Sequence, residues 1–230
     1  IPGTPIAYWA SDAMIRAFQK ELLNSSADCY YGLFSCKNEY FHRHWYECSQ
    51  KDISFLSYSP KKNWVPHNKG GSFRKWYGNR EYIVRFRNFG EEIKMYRAKV
   101  GQSCSLPGEE YYFHPHISWS MISSGISSFR SFSEEFTFDI ASPSLFCKTK
   151  EDYFPILGFL NTSTSNQFVK TLNPTLNNLT SDVLNIPLSL DENRLEELIS
   201  IPSDSVKISK TDWDSFETSW DFQRHPMVGD

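Results

Sequence analysis

The residues best suited to binding chemistry lie between Lys61 and Asn79, where basic side chains are interspersed with glycines, asparagines and aromatics. Glycines let backbone amides approach a phosphate closely, basic side chains neutralise its charge, and Asn, Arg and Lys can form paired hydrogen bonds to base edges. This combination of residue types predicts a nucleic-acid-binding segment. Its two runs are Lys61-Lys62-Asn63-Trp64 and Asn68-Lys69-Gly70-Gly71-Ser72-Phe73-Arg74-Lys75-Trp76-Tyr77-Gly78-Asn79.

The same segment has a second interpretation in which it binds nothing. Trp64, Phe73, Trp76 and Tyr77 would be core or hairpin aromatics, and the charges would form a solvated face. Composition alone supports the two interpretations about equally.

Charge is distributed unevenly along the chain. The net charge of −3 over 230 residues would by itself argue against a nucleic-acid partner. However, residues 61–99 contain eleven basic and three acidic residues, whereas residues 182–230 contain four basic and eleven acidic residues. This asymmetry predicts an anionic partner for the basic part.

We predict that five basic side chains contact DNA phosphates and that two glycines allow the backbone to come close. A second group offers contacts to base edges or to further phosphates, although a surface salt bridge is an equally available role. The first group comprises Lys61, Lys62, Lys69, Arg74 and Lys75, with Gly70 and Gly71. The second group comprises Asn79, Arg85, Arg87 and Arg130, with Ser123 and Ser124 as caps of a backbone contact.

Catalytic and metal sites receive little support from the sequence. Methyltransferases that act on amino groups of DNA bases use an Asn/Asp-Pro-Pro-Tyr/Phe motif, and this chain has no Pro-Pro dipeptide and no Gly-x-Gly loop for a cofactor. Neither His42-His44-Cys48 nor His114-His116 has a recognised zinc spacing. We therefore expect no catalytic residue, no metal and no cofactor in this chain; a nuclease or metalloenzyme that uses the His42 group is a rival hypothesis.

The regular elements that would position these residues are helices at both ends and short strands between them. Capping by Ser11-Asp12 predicts a helix that ends near Asn24, and the 30–59 stretch is interpreted as strands and loops. Further strands are predicted at Tyr82–Arg87, Ile117–Met121 and Phe129–Ile140. One or two helices are predicted over Tyr153–Leu172, with a stop at Asn173-Pro174, and another over Asp191–Ile199.

This order predicts an α+β fold with a largely antiparallel or mixed sheet followed by packing helices. We divide the chain into a connector with an N-terminal helix (1–28), a main domain (29–180) and a helical, acidic extension (181–230). The core is predicted to include Trp64, Trp119, Phe159, Phe168 and Leu172.

The cellular setting follows from what the sequence lacks. Five cysteines without a C-x-x-C pair indicate neither a disulfide framework nor a zinc ribbon, which fits a reducing cytoplasm. No apolar run approaches the roughly 18 residues of a membrane span, and no signal peptide opens the chain. The Ile1-Pro2-Gly3-Thr4-Pro5 start is typical of a connector, so we expect an excised fragment.

Several runs of residues occur along the chain in a specific order. They are Ile1–Trp9, Asn68–Asn79, Ile117–Ser120, Ser123–Gly125, Phe129–Arg130, Leu157–Asn161, Leu172–Asn177, Asn185–Pro187 and Asp212–Phe222. Taken together, they resemble the region downstream of the catalytic domain in the PglX family of bacterial adenine-specific DNA methyltransferases, which act in BREX phage defence. The resemblance runs essentially from end to end.

The resemblance implies a division of labour. In this family a catalytic half binds S-adenosylmethionine and methylates the exocyclic nitrogen of adenine, and a recognition half grips duplex DNA while the target base is flipped out. This chain resembles the recognition half, and similarity to type I specificity subunits implies a curved sheet followed by helices. The implied partners are double-stranded DNA, the catalytic domain of the same polypeptide and other BREX components, with no membrane. The alternative is a protein-interaction module of the same defence system that does not read DNA.

Two local expectations accompany the resemblance. Related domains often have Gly-Leu-x-Thr-Gly-x-Asn near the start, and Cys36 stands here where the second glycine is usual, so a turn with positive φ would strain it. The acidic Trp213–Phe222 segment is expected to pack on another part of a longer protein, because its charge repels phosphate.

Overall fold

Short strands and helices alternate along the computed structural model, which describes residues 1–3, 8, 10–123 and 125–228. Over that part of the chain, eight strands form two four-stranded sheets, so the predicted α+β class is confirmed, with two small sheets in place of one. The strands are β1 (Ala27–Tyr30), β2 (His42–His44), β3 (Trp64–Asn68), β4 (Tyr82–Arg85), β5 (His116–Trp119), β6 (Phe129–Phe132), β7 (Thr137–Phe138) and β8 (Ser144–Cys147). The helices are α1 (Asp12–Ala17), α2 (Asn38–Phe41), α3 (Arg87–Lys99), α4 (Tyr153–Leu160), α5 (Ser163–Leu172), α6 (Thr180–Leu184) and α7 (Leu195–Asp214).

The first sheet has the strand order β1-β8-β5-β6, with antiparallel pairing throughout. The second has the order β2-β4-β3-β7 and is antiparallel except for the short β3–β7 pair, which is parallel. The strand predicted at Tyr82–Arg87 is β4, which ends at Arg85. Because β4 is central in its sheet, Ile83 and Val84 are both inaccessible although they point to opposite faces.

The N-terminal helix is shorter than its periodicity predicts. Ser11 caps α1, since its Oγ accepts a hydrogen bond from the Met14 amide at 3.3 Å, but the helix ends at Ala17. Leu23 then turns into the core, where its amide donates to the Ile186 carbonyl at 2.9 Å. Burial of this leucine and its pairing with a distant segment override the local helical pattern.

The predicted helical region after Asp152 consists of two helices separated at Asn161 and Thr162. Thr162 caps α5 by accepting from the Ser165 amide at 3.1 Å. The helix ends at Leu172, directly before Asn173-Pro174, as predicted. Asn161 ends α4 and, from that position, bonds to the edge of β6.

Two other helices differ from the expectation. The predicted end at Ile199 is wrong, because α7 continues to Asp214 through Pro202. The ring of Pro202 packs against α4 at Gly158, where a Cβ atom would lie 2.6 Å from the ring. The 13-residue α3 was not predicted, and Asn88, Phe89 and Gly90 at its start have left-handed dihedral angles.

The 30–59 stretch is more helical than predicted. It contains the short α2 and 3₁₀ turns at Trp45–Glu47 and Gln50–Asp52, with β2 as its one complete strand. Cys36 has a φ of 63°, so the residue in the glycine position does adopt the strained conformation.

Two hydrophobic clusters form the core. One joins the first sheet to α4, α5 and α6 and contains Trp119 and Phe168, with Phe159 and Leu172 half-buried at its margin. The other lies around β3, β4 and α3. Trp64, predicted to be in the core, is half-buried at the start of β3.

The acidic C-terminal segment packs on this chain itself, which corrects the expectation that it docks elsewhere. Trp213 is 3% exposed, and the Arg74 guanidinium lies 4.9 Å from the centroid of its ring. Trp220 contacts the rings of Phe55 and Phe136. The Trp45 indole also donates to the Thr218 carbonyl at 2.9 Å. The aromatic residues of the segment thus dock it despite its charge.

Within the described ranges, no helix combines the length and apolar character needed to cross a bilayer.

Candidate nucleic-acid interface

The glycine-rich run from Lys69 to Asn79 forms a loop that follows β3 and lies along the edge of β6. The Trp76 amide donates to the Phe129 carbonyl at 2.9 Å, and the Ser131 amide donates to the Trp76 carbonyl at 2.8 Å. The loop connects β3 and β4 of the second sheet, and these two hydrogen bonds hold it against β6, the edge strand of the first sheet.

Gly71 is required by the conformation of this loop. Its φ is 126°, and a Cβ atom there would lie 2.9 Å from the Asn79 amide nitrogen. That nitrogen donates to the Ser72 carbonyl at 2.8 Å, so Asn79 holds the loop closed from inside. Asn79 is 7% exposed and has a left-handed φ of 55°, which asparagine tolerates better than most residues.

A cleft of about 260 Å³ opens between this loop and the connection from β5 to β6. We call it the serine cleft. Phe73, Ile122 and Ile126 line it and are 60%, 65% and 50% exposed, so it combines hydroxyl groups with accessible apolar surface. Its lining residues are Gly71, Ser72, Phe73, Ser120, Ile122, Ser123, Gly125, Ile126 and Ser128.

A buried guanidinium lies beneath the serine cleft. Arg130, on β6, has no exposed surface. Its Nη2 donates to the Ser120 hydroxyl at 3.2 Å, and its Nη1 lies 3.3 Å from both the Ser128 hydroxyl and the Arg74 carbonyl. Both serines line the cleft, so Arg130 is one hydrogen bond away from it.

The charge of Arg130 is not balanced by a carboxylate among the described residues. Burial alone lowers the pKa of Arg130 to about 10, and the Nε atom has no hydrogen-bond partner in that part of the chain. At neutral pH the group remains charged. An unpaired charge in the interior is costly to maintain, which is typical of a functional position.

The arrangement favours an anion in the cleft. Ser120 donates its hydroxyl proton to the Gly71 carbonyl at 2.9 Å and so ties the loop to the cleft floor. The Ser128 hydroxyl accepts from Arg130, which polarises it as a donor. A phosphate oxygen in the cleft would interact with that hydroxyl and with the positive charge below it.

Most of the basic side chains predicted to contact phosphate are instead occupied within the protein. Lys62 donates to the Ile53 carbonyl at 2.8 Å, and Lys75 donates to the Asn161 carbonyl at 2.7 Å. Arg74 lies 3.6 Å from a carboxylate oxygen of Asp212. Arg85 lies 3.0 Å from Glu92, so these four residues contribute to intramolecular contacts as the second interpretation of the segment supposed.

The remaining predicted residues divide between two places. Gly70, Gly71, Ser123 and Arg130 lie at or directly beside the serine cleft. Lys61 and Arg87 are exposed near the end of the second sheet, and Lys69 is half-buried with its ammonium 5.0 Å from the centroid of the Tyr82 ring. Ser124 lies outside the described residues. Contact of any of these residues with DNA stays a prediction.

Sequence reasoning missed the apolar residues of the cleft and two of its serines. Ser120 follows β5 and belongs to the Ile117–Ser120 run that carries the family resemblance, and Ser128 directly precedes the Phe129–Arg130 run; these positions were the available signal. Phe73 was considered as a core aromatic, but it is exposed.

The histidines are grouped differently from either proposed metal set. His42 lies close to His67 and Asp139, and all three residues are buried. Among the described residues, this is the group whose ligand atoms could hold a metal ion. His44, Cys48, His114 and His116 are not part of it.

No family model matches the chain. Two curated relatives do. The chain is 36% identical over 237 residues to the adenine-specific methyltransferase PglX of Lacticaseibacillus casei (strain Zhang), covering 99% of this chain and 20% of the relative. It is 34% identical over 231 residues to the adenine-specific methyltransferase BrxX of Escherichia coli O9:H4 (strain HS), covering 99% of this chain and 18% of that protein. The chain spans about a fifth of the length of these relatives, and along almost its whole length it is similar to a segment of the PglX and BrxX methyltransferases, which confirms the resemblance inferred from its residues.

Proposed function

We propose that the chain is the DNA target-recognition domain of an adenine-specific DNA methyltransferase of the BREX phage-defence type. It binds duplex DNA and positions the target adenine for a catalytic domain in the same polypeptide. That domain binds S-adenosylmethionine, and this chain supplies neither the cofactor site nor the catalytic residues. The end-to-end similarity to one fifth of PglX and BrxX supports such a division.

The observation that carries the proposal is the unbalanced Arg130 beneath the serine cleft. A buried cation without a carboxylate partner prefers an anion nearby, and DNA presents phosphates along its whole length. The exposed Phe73 lies at the same cleft, where an aromatic ring can stack on a base or insert between base steps. Phosphate binding and base contact would therefore occur at one place.

A phenylalanine substitution tests the position of the interface. We expect Phe73→Ala to weaken binding of a fluorescent duplex by about tenfold, equivalent to about 1.4 kcal/mol, because base stacking on an aromatic ring contributes on that scale. Fluorescence anisotropy with the purified chain measures the affinity, and thermal denaturation confirms folding.

Phe89→Ala is the matched control, because Phe89 is 58% exposed and Phe73 is 60% exposed. Phe89 lies at the start of α3, away from the lining of the serine cleft. An equal loss of affinity in both variants, or in neither, would place the DNA somewhere else.

A second candidate function is a protein-interaction module. It is favoured by the exposed apolar side chains of α7, Leu195, Ile201 and Ile208, which are 46%, 59% and 71% exposed. The variant that combines Leu195→Ser, Ile201→Ser and Ile208→Ser tests this alternative. If the wild-type chain binds duplex DNA and the variant binds it equally well, protein interaction is not the main role. Absence of any duplex binding would favour it.

A further inference from the structure

Three buried side chains of the second sheet converge on one point. His42 begins β2, His67 lies on β3, and Asp139 directly follows β7. The Asp139 Oδ2 atom lies 3.4 Å from the His67 Nε2 atom and 3.9 Å from the His42 Nε2 atom. All three ligand atoms fall within 4.8 Å of one another, so a small inward movement of the side chains would bring them within reach of a single ion.

The contacts of His67 fit two tautomers: Nε2–H can donate to Asp139 at 3.4 Å, or Nδ1–H can donate to Thr137. The His67 Nδ1 atom lies 2.8 Å from the Thr137 hydroxyl, and that hydroxyl donates its own proton to the Pro66 carbonyl at 3.3 Å. When the hydroxyl donates to Pro66, Thr137 accepts from an Nδ1–H group of His67. In this tautomer the Nε2 lone pair faces the Asp139 carboxylate, so two acceptors oppose each other unless a cation lies between them.

His42 presents a second unsatisfied group at the same point. Its side chain is 2% exposed, and neither of its ring nitrogens has a hydrogen-bond partner among the described residues. A neutral imidazole with a free Nε2 lone pair is the form that binds a metal.

We propose that His42, His67 and Asp139 bind a divalent transition-metal ion, with zinc as the best-fitting ion. Two imidazole nitrogens and one carboxylate oxygen match its ligand preference, and Thr137 orients His67 in the way that a hydrogen-bond acceptor commonly orients a metal-bound histidine. The ion separates the facing acceptors and uses the free His42 nitrogen. Water completes the coordination.

A route to the site exists at the surface. A solvent-open depression of about 260 Å³ borders His42 and is lined by Lys69 and Tyr82 among others. Lys69 lines this depression beside His42. Its positive charge opposes that of the ion, so a neutral residue at position 69 should tighten metal binding.

The ion would stabilise the part of the second sheet in which the strand pairings are shortest. The β2–β4 pairing covers three residues and the β3–β7 pairing covers two. A metal bound by residues of β2, β3 and the β7 end would hold these short strands together and would fix the point from which the Lys69–Asn79 loop departs. This role does not depend on DNA binding.

Metal analysis of the purified 230-residue chain, produced without a histidine tag, tests the proposal. We expect about one zinc or other transition-metal ion per chain, a fall in melting temperature when a chelator removes it, and recovery when zinc is added back. Cobalt added to the metal-free chain should produce the visible absorption bands of a four- or five-coordinate site.

Variants separate a metal site from a metal-free His–Asp hydrogen bond. His42→Gln and Asp139→Asn should each lose the ion and the response to chelator, whereas His44→Gln, on the same strand as His42, should retain both. The Lys69→Met variant should bind zinc more tightly than the wild-type chain does. Its zinc affinity can be measured even if the ligand variants fail to fold. A wild-type chain that binds neither zinc nor cobalt, or whose melting temperature does not respond to a chelator, would overturn the proposal.

Discussion

Two buried arginine residues, Arg130 and Arg80, differ in their surroundings. Arg130 has hydroxyl and carbonyl partners, no carboxylate among the described residues, and a cleft directly above it. Arg80 is also buried, but its guanidinium lies 3.8 Å from the centroid of the Tyr77 ring and contacts two further aromatic rings. Arg80 also has no carboxylate partner among the described residues and an unbonded Nε atom, so the cleft makes the difference. Aromatic rings cover Arg80, whereas the charge of Arg130 is available to a ligand in the cleft.

This contrast predicts opposite effects of two equivalent substitutions. Arg130→Met should lower DNA affinity by about tenfold while changing the free energy of unfolding by less than about 1 kcal/mol, because replacing a buried charge with an apolar side chain is often neutral. Arg80→Met should instead reduce stability and leave DNA affinity unchanged. Urea denaturation and anisotropy measure the two quantities; loss of stability without loss of affinity in Arg130→Met would assign that residue to packing.

Buried histidines give the protein a predictable response to acid. Burial lowers the pKa of His116 to about 4, below the value of about 6.5 expected in an unfolded chain. Between these values the unfolded state binds more protons than the folded state, so stability is retained above pH 6.5 and falls as the pH decreases toward 4.

His116→Phe should reduce this pH dependence. The ring of His116 stacks on Phe132 with centroids 5.2 Å apart, and a phenylalanine keeps that contact without titrating. We expect the decrease in unfolding free energy between pH 7 and pH 4.5 to be smaller in the variant by about 2 kcal/mol. Urea denaturation at the two pH values measures it, and an equal decrease in both proteins would contradict the assignment.

At the scale of elements, Asn161 connects the helical part of the fold to the first sheet. It is 5% exposed, and its side chain accepts from the Phe129 amide at 3.1 Å and donates to the Phe129 carbonyl at 3.0 Å. Its own carbonyl accepts from Lys75, so the end of α4, the edge of β6 and the Lys69–Asn79 loop meet at this residue.

Asn161→Ala should therefore destabilise the fold. It removes two side-chain bonds to a buried backbone position, for a cost of about 2–3 kcal/mol in unfolding free energy. The matched control is Asn193→Ala, because Asn193 is exposed and bonds locally to Asp191. Urea denaturation compares the two, and equal stability of both variants would contradict a connecting role for Asn161.

The elements also show what a single sequence can predict. The β4 strand and the end of α5 before Asn173-Pro174 were predictable because their signals are local. The start of α3 was not, since its left-handed residues 88–90 depend on contacts with Tyr58 and Phe86. The serine cleft combines residues of the Lys69–Asn79 loop with residues at the ends of β5 and β6. The His42, His67 and Asp139 group joins residues that are almost 100 positions apart in the sequence. Such combinations arise only from tertiary pairing.

At the scale of the whole molecule, the basic and acidic parts of the chain neutralise each other in part. The Arg74 guanidinium stacks on Trp213 and pairs with Asp212, and the aromatic residues of the C-terminal segment anchor it beside the basic loop. The uneven charge in the sequence therefore does not produce a uniformly basic surface, and the acidic segment limits how much of the loop can contact an anion.

Asp212→Asn tests this limitation. It leaves Trp213 in place and frees the charge of Arg74, so we expect DNA affinity to rise by about twofold at low salt, in keeping with the small energies of exposed ion pairs. Asp204→Asn is the control, because it disrupts an exposed pair with Lys207 on the same helix. Anisotropy at low and high salt should show the difference only at low salt; an equal gain in the control would indicate a general charge effect.

Hydrogen–deuterium exchange with and without duplex DNA tests the proposal that this chain binds duplex DNA at the serine cleft. If DNA binds there, we expect slower exchange of backbone amides at 70–74, 122–123 and 125–128, with no change in the first turns of α7. Protection confined to other segments, or no protection at saturating DNA, would contradict it.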